Sequence, residues 1–220
     1  GEGVPIDVDK AIEFFKTAAD QGNIDAANFY STQIFKKENR TQGEEKEAIK
    51  YLQIAAEKGH SLALCNLGSM YEHGIGVEVD IEKSIEYYKI GIECGDSKAM
   101  YLYATLLIDI NNSEENIKEA IKYYKMAVEK ANDAAMNDYG LILFNGEYNV
   151  PIDREKGYEY LKTAVELGNV KAMVNLGLFF SNGIGVPMDK EEATRLFKMA
   201  ADKDCIEGYL NYGIMLNAGD

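Results

Sequence analysis

Paired glycines stand ahead of a predicted helix at Gly74-Ile-Gly-Val77 and at Gly183-Ile-Gly-Val186, and a near copy, GEGVP, begins at Gly1. Loops of this kind cradle phosphate when freed backbone N–H groups and a helix N-terminus converge on one anion. A nucleotide-binding loop also needs a lysine and a hydroxyl at fixed spacing behind the glycines, and neither follows here. Three copies in one chain argue further against a single cofactor site. His60 and His73 have no carboxylate or cysteine partners at metal-ligand spacing, so each reads as a loop or helix-end residue. Cys65, Cys94 and Cys205 match neither a zinc ribbon nor a CxxC redox pair. No GxSxG, HExxH or EF-hand frame occurs. The expectation is a chain that is not an enzyme and holds no metal or cofactor.

The glycines are better explained by a repeat. Ala11, Ala48, Ser84, Ala120, Gly157 and Ala193 are separated by 37, 36, 36, 37 and 36 positions. Eleven residues beyond each come Gly22, Gly59, Gly95, Ala131, Gly168 and Asp204, and four further on Ala26, Ala63, Ala99, Ala135, Ala172 and Gly208. Within each unit, large apolar residues at +3 and +4 from the first small residue, with Ala or Val at +7 and +8, form the stripe of a helix with one buried face. Four positions before that residue stand Asp7, Glu44, Asp80, Asn116, Asp153 and Asp189, and all but Glu44 are expected N-caps. A second segment carries small residues at its start and five positions later, as in Ala63/Gly68 and Ala172/Gly177, where neighbouring helices can approach closely. It is predicted to stop at Gly74, Gly146, Gly183 and Gly219. Lysines at +5 followed by acids at +9, such as Lys16/Asp20 and Lys89/Glu93, predict ion pairs one turn apart on a solvated face.

Two helices per 36-residue unit, and no strand pattern, predict an all-α array in which each pair is buried by its neighbours. The stretches from Ala63 through LCNLGSMYEHGIGVEVDIEKSIEYYKIG and from Ala172 through MVNLGLFFSNGIGVPMDKEEATRLFKMA resemble the Sel-one-like repeat, a relative of the tetratricopeptide repeat. The resemblance covers essentially the whole chain. It implies a right-handed α-α superhelix of about six helix pairs, with units near 1-25, 26-62, 63-98, 99-134, 135-171 and 172-220, incomplete at both ends. The stretches KKENRTQGEE and Asn112 to Ala131 depart by lacking the GxGV loop. Apolar Phe14, Phe15, Met215 and Leu216 in the terminal elements lead us to expect a longer parent protein.

A formal charge of −14 over 220 residues disfavours nucleic acid and anionic membrane surfaces, and no apolar stretch is long enough for membrane insertion. Partners are expected to be neutral or basic. Three cysteines cannot all pair within the chain, so a reducing cytoplasm is the simpler compartment. Sequons at Asn39 and Asn111 keep a secretory lumen open.

The resemblance also implies a function, that of a scaffold binding a peptide or helix of another protein. In such repeats the first helix of each pair (here A, with the aromatic-bearing helix as B) lines a concave groove. The face at +2, +6 and +9 from Ala26 and its equivalents then includes Tyr101, Ile108, Asn137, Leu141, Phe144, Val174, Leu178, Leu210 and Ile214. Asn66, Asn175 and Asn211, one position beyond +2, are candidates to hydrogen-bond an extended backbone. The competing reading buries these side chains between adjacent A helices. Two other functions follow from other repeat proteins of this kind: an adaptor in endoplasmic-reticulum degradation, and a β-lactam hydrolase of the cysteine-rich type, whose paired cysteine in each repeat this chain lacks.

Overall fold

A computed structural model of the chain describes residues 7–218, so the Gly1 loop copy and the Gly219 stop lie outside the described residues. Twelve α-helices follow in order, with no strand among the described residues. The B helices are α1 (Val8–Asp20), α3 (Gln42–Glu57), α5 (Ile81–Glu93), α7 (Glu114–Glu129), α9 (Arg154–Glu166) and α11 (Lys190–Ala201). The A helices are α2 (Ile24–Lys36), α4 (Ser61–His73), α6 (Ser97–Ile110), α8 (Asp133–Asn145), α10 (Val170–Asn182) and α12 (Ile206–Ala218). The chain divides within α6 into two compact units, 1–106 and 107–220. This is the all-α repeat fold expected from the period.

Two kinds of turn join the helices, and each is set by residues in a left-handed conformation. After the B helices, Gly22, Gly59, Gly95 and Gly168 have φ between 77° and 91°, and Ala131 (56°) and Asp204 (58°) are forced into the same region where the glycine is missing. After α4 and α10 the GIGV loop turns on two glycines. Gly74 caps α4 at φ 68°, its N–H donating to the Met70 carbonyl, and the Ile75 N–H donates to the same oxygen at 3.0 Å. The Asp80 N–H returns to the Tyr71 carbonyl at 2.9 Å, while the Asp80 carboxylate accepts from the Lys83 N–H at 3.0 Å. These donors close the loop on its own helices and do not converge on an anion.

The second glycine of each loop marks a close approach of backbone to ring. A Cβ on Gly185 would stand 2.3 Å from the Phe144 ring, and one on Gly76 would stand 3.1 Å from Phe35 and Ile49. The small residue at the middle of α4 and of α10 does the same for the B helix that follows. A Cβ on Gly68 would meet the Tyr88 ring at 2.4 Å, and one on Gly177 the Phe197 ring at 2.5 Å. Tyr88 is wholly buried and its hydroxyl donates to Glu72 at 2.6 Å. Burial first, then the Glu72 carboxylate, pushes that phenol well above its ordinary range. In the first unit, Leu52, Leu64, Leu67 and the alanines at 55, 56 and 63 continue this packing into one core.

Where no glycine stops the preceding A helix, after α2 and α6, the B helices start a turn early. Thr41 caps α3 in a capping box with Glu44, and Ser113 caps α7 by accepting from the Asn116 N–H at 3.2 Å. Asn116 is therefore in the first turn, not at the N-cap as its register suggested, and its side-chain amide donates to the Leu107 carbonyl. The Lys-to-acid pairs expected on the B helices also differ: none closes within 4 Å among the described residues, and Lys16 pairs with Glu47 of α3 at 2.7 Å. That lysine order opposes the helix dipole and gives little return for fixing two long side chains.

Candidate partner-binding surface

The A helices are started by polar caps that also fix their depth. Asn23, Asn132 and Asn169 each accept from the backbone N–H three residues on at 2.9 Å, as does Asp96 from the Ala99 N–H. His60 plays this part for α4: its Nδ1 accepts from the Ala63 N–H at 3.1 Å, leaving Nε2 to donate to Asp25 at 3.1 Å. His73 bonds the Ser69 carbonyl at the end of the same helix. Both histidines are helix-end residues, and no group of three or more His, Cys, Asp or Glu among the described residues is arranged to hold a metal.

Of the predicted groove residues in the second unit, Asn137 (2% exposed), Phe144 (2%) and Val174 (8%) are buried between A helices, which corrects their placement on an open groove, whereas Leu210 at +2 of α12 is exposed. Successive A helices approach closely enough to pack on each other. The Asn175 amide donates to Asn137 Oδ1 at 2.9 Å, Asn137 donates to Asp138 at 2.7 Å, and the Phe144 and Phe179 rings stack at 4.3 Å. The first unit repeats the contact, Asn66 donating to the buried Asn28 at 3.1 Å. Asn211 faces Val174 in the register and, lacking an amide partner there, donates to the Glu207 carbonyl of its own helix at 2.8 Å. The asparagines are thus first of all ties between or within A helices.

The +6 position behaves differently. Leu141 is half-buried, Leu178 is 37% exposed and Ile214 55%, with Leu210 at 63% beside it, so α8, α10 and α12 each present an aliphatic side chain at the same register, increasingly exposed along the row. Tyr101 of the first unit and Ile108 of the second are half-buried. In the first unit the same face forms a cleft of about 240 Å³, lined by Thr32, Phe35, Asn66 and Ser69 among others. Cys65 is buried, its thiol pushed up to about 12 by burial and then by the Asp96 carboxylate, and Cys94 and Cys205 are unpaired and far from it in sequence.

The Sel1 repeat profile matches residues 1–23, 41–60, 61–96, 97–132, 133–169 and 170–205, most of the chain and in phase with the helix pairs. The chain belongs to the Sel1 repeat family. Sel1 repeat proteins generally mediate protein–protein interactions and are generally non-catalytic. Seventy residues are 43% identical to the ERAD-associated E3 ubiquitin-protein ligase component HRD3 of Candida glabrata, a match covering 32% of this chain and 8% of that protein. A Sel1 repeat protein of Oxalobacter formigenes is similar with a TM-score of 0.71 at 25% identity, over 92% of this chain and 86% of that one. The protective antigen c5321 of uropathogenic Escherichia coli, which displays an SLR fold, gives 0.70 at 25% identity over 94% and 44%. The chain thus spans less than half the length of both HRD3 and c5321. Among the described residues no helix is long and apolar enough to cross a membrane.

Proposed function

We propose that this Sel1 repeat chain is a docking scaffold whose second unit holds a peptide or helix of a partner protein along the A-helix +6 row. The observation that carries the reading is the contrast within one face. In α8 and α10 the +2 side chains Asn137 and Val174, and Phe144 at +9, are closed by helix packing, whereas at +6 Leu141 is half-buried and Leu178 and Ile214 are exposed on consecutive A helices. Uncovered aliphatic side chains in register are what an apolar partner segment needs as anchors. Asn175 and Asn211, half-buried beside the row, each retain a carbonyl oxygen to meet a partner N–H. The acidic chain favours a neutral or basic segment. Peptides selected from a random library against the full chain should lose at least tenfold in affinity to the Leu178→Asp/Ile214→Asp variant at unchanged helicity. Unchanged affinity would reject the row.

A second reading takes its support from the HRD3 match, and places the scaffold in the secretory pathway instead of the cytoplasm. Asn39 and Asn111 are both exposed in short connections, so either could carry a glycan. Mass spectrometry of the protein from its own cells distinguishes the two: occupied sequons favour the lumen, and bare sequons with reduced cysteines favour the cytoplasm.

A further inference from the structure

The B helices carry a charge pattern that the +6 row does not use. At −2 and +2 around the small residue, α1, α5 and α9 have Asp9/Glu13, Glu82/Glu86 and Glu155/Glu159, whereas α3 and α7 have Lys46/Lys50 and Lys118/Lys122. The two lysine helices are the two that start a turn early. In the second unit the inversion coincides with a cleft of about 820 Å³ between α7 and the connection from α8 to α9. Its helical wall is one stripe at i, i+3, i+4, i+7, i+8 and i+11: Glu114, Ile117, Lys118, Ile121, Lys122 and Lys125. Ile117 and Ile121 are half-buried, the three lysines are exposed, and Lys118 and Lys125 form no ion pair among the described residues.

The opposite wall is the irregular loop. Where the α4–α5 and α10–α11 connections have the second glycine of GIGV, this one has Tyr148 at φ 55°, followed by Asn149 at 58°. A non-glycine residue in that region costs roughly 1–2 kcal/mol, most for a bulky side chain. Tyr148, Asn149, Val150 and Pro151 line the cleft opposite α7. The cleft therefore combines an apolar floor, a cationic rim and an aromatic wall held at a conformational cost, on a chain whose net charge is −14.

We propose that this cleft is a second docking site, for an acidic amphipathic helix of a partner protein whose carboxylates meet Lys118, Lys122 and Lys125 while its aliphatic side chains rest on Ile117 and Ile121. The choice of occupant rests on charge complementarity. Three lysines spaced four and three residues apart along one helix match carboxylates at i, i+3 and i+7 of an antiparallel helix. The comparable cleft in the first unit sets two lysines, Lys46 and Lys50, beside two acids, Asp20 and Glu47, whereas this one sets three lysines beside Glu114 alone. The site is independent of the A-helix row and selects the opposite charge.

The test uses the full chain and a synthetic helix of ~16 residues with Glu at i, i+3 and i+7 beside Leu, together with its Glu→Lys counterpart, by isothermal titration. The acidic helix should bind, weaken as salt rises, and lose about tenfold or more to Lys118→Glu/Lys122→Glu; Lys162→Glu on α9 and Leu178→Asp/Ile214→Asp should leave binding unchanged. Tyr148→Gly should weaken binding while raising the melting temperature, a pairing of signs that a merely structural role does not give. Equal binding of the acidic and basic helices, no binding of either, or indifference to the charge reversal overturns the proposal. Binding of phosphatidylserine vesicles without binding of the acidic helix overturns it in favour of a membrane surface.

Discussion

Gly68 and Gly213 hold the same place in their repeats, yet replacement by alanine should move stability in opposite directions. At Gly68 the new Cβ would stand 2.4 Å from the Tyr88 ring. That ring cannot retreat, because it is wholly buried and its hydroxyl is held by Glu72 at 2.6 Å. Overpacking of this kind costs about 1–3 kcal/mol, and the better helix propensity of alanine returns about 1. With a clash this deep the steric cost prevails, so Gly68→Ala should lose about 1–2 kcal/mol. At Gly213 an added Cβ would meet nothing within 4 Å beyond its own helix backbone and chain neighbours among the described residues, and only the propensity remains, so Gly213→Ala should gain up to about 1 kcal/mol. Adding Tyr88→Leu, the residue type found at Leu52 and Leu161 in the same register, should relieve much of the Gly68→Ala penalty, a coupling read from a double-mutant cycle. Urea unfolding followed by circular dichroism supplies all three values. A stabilised Gly68→Ala, or equal effects at the two glycines, would refute the reasoning that these positions are small in order to admit a B-helix ring.

Ala131 occupies the left-handed turn at φ 56° that glycine fills in four other repeats, so Ala131→Gly should raise stability by about 0.5–1 kcal/mol in thermal melts, after the entropy cost of glycine is deducted. Thiol labelling at neutral pH should modify exposed Cys94 first and Cys65 only on unfolding. Because the folded Cys65 thiol is pushed from 9.0 to about 12, its contribution is complete below pH 9 and is lost as pH rises toward 12. Cys65→Ala should therefore flatten the onset of alkaline destabilisation between pH 9 and 10, below the ordinary range of tyrosine, in chemical-denaturation curves recorded across that interval.

The helices were legible because period and packing coincide: five residues beyond Ala63 and Ala172, which keep the repeat spacing, stand Gly68 and Gly177, the residues that the B-helix rings press upon. The A helices predicted to stop at Gly74, Gly146 and Gly183 end one residue before each of those glycines. Asn116 was misplaced because a cap is a local choice, and Ser113 offers its hydroxyl one turn earlier than the repeat register implies. The groove face was only half legible. A helical wheel places +2, +6 and +9 together, but the distance between successive A helices decides which of them close, and the Asn137–Asn175 bond and the Phe144–Phe179 stack are long-range facts. The lysine pairs of α3 and α7 were visible in the aligned repeats. Their meaning depended on Tyr148 and its neighbours forming the facing wall.

The most direct test of the account is site-specific photo-cross-linking of the full chain to a library-selected peptide. A photoreactive residue at position 178 should capture the peptide, whereas one at position 162 on a B helix should not. Capture from position 162 with none from position 178 would contradict the assignment of the A-helix row as the partner surface.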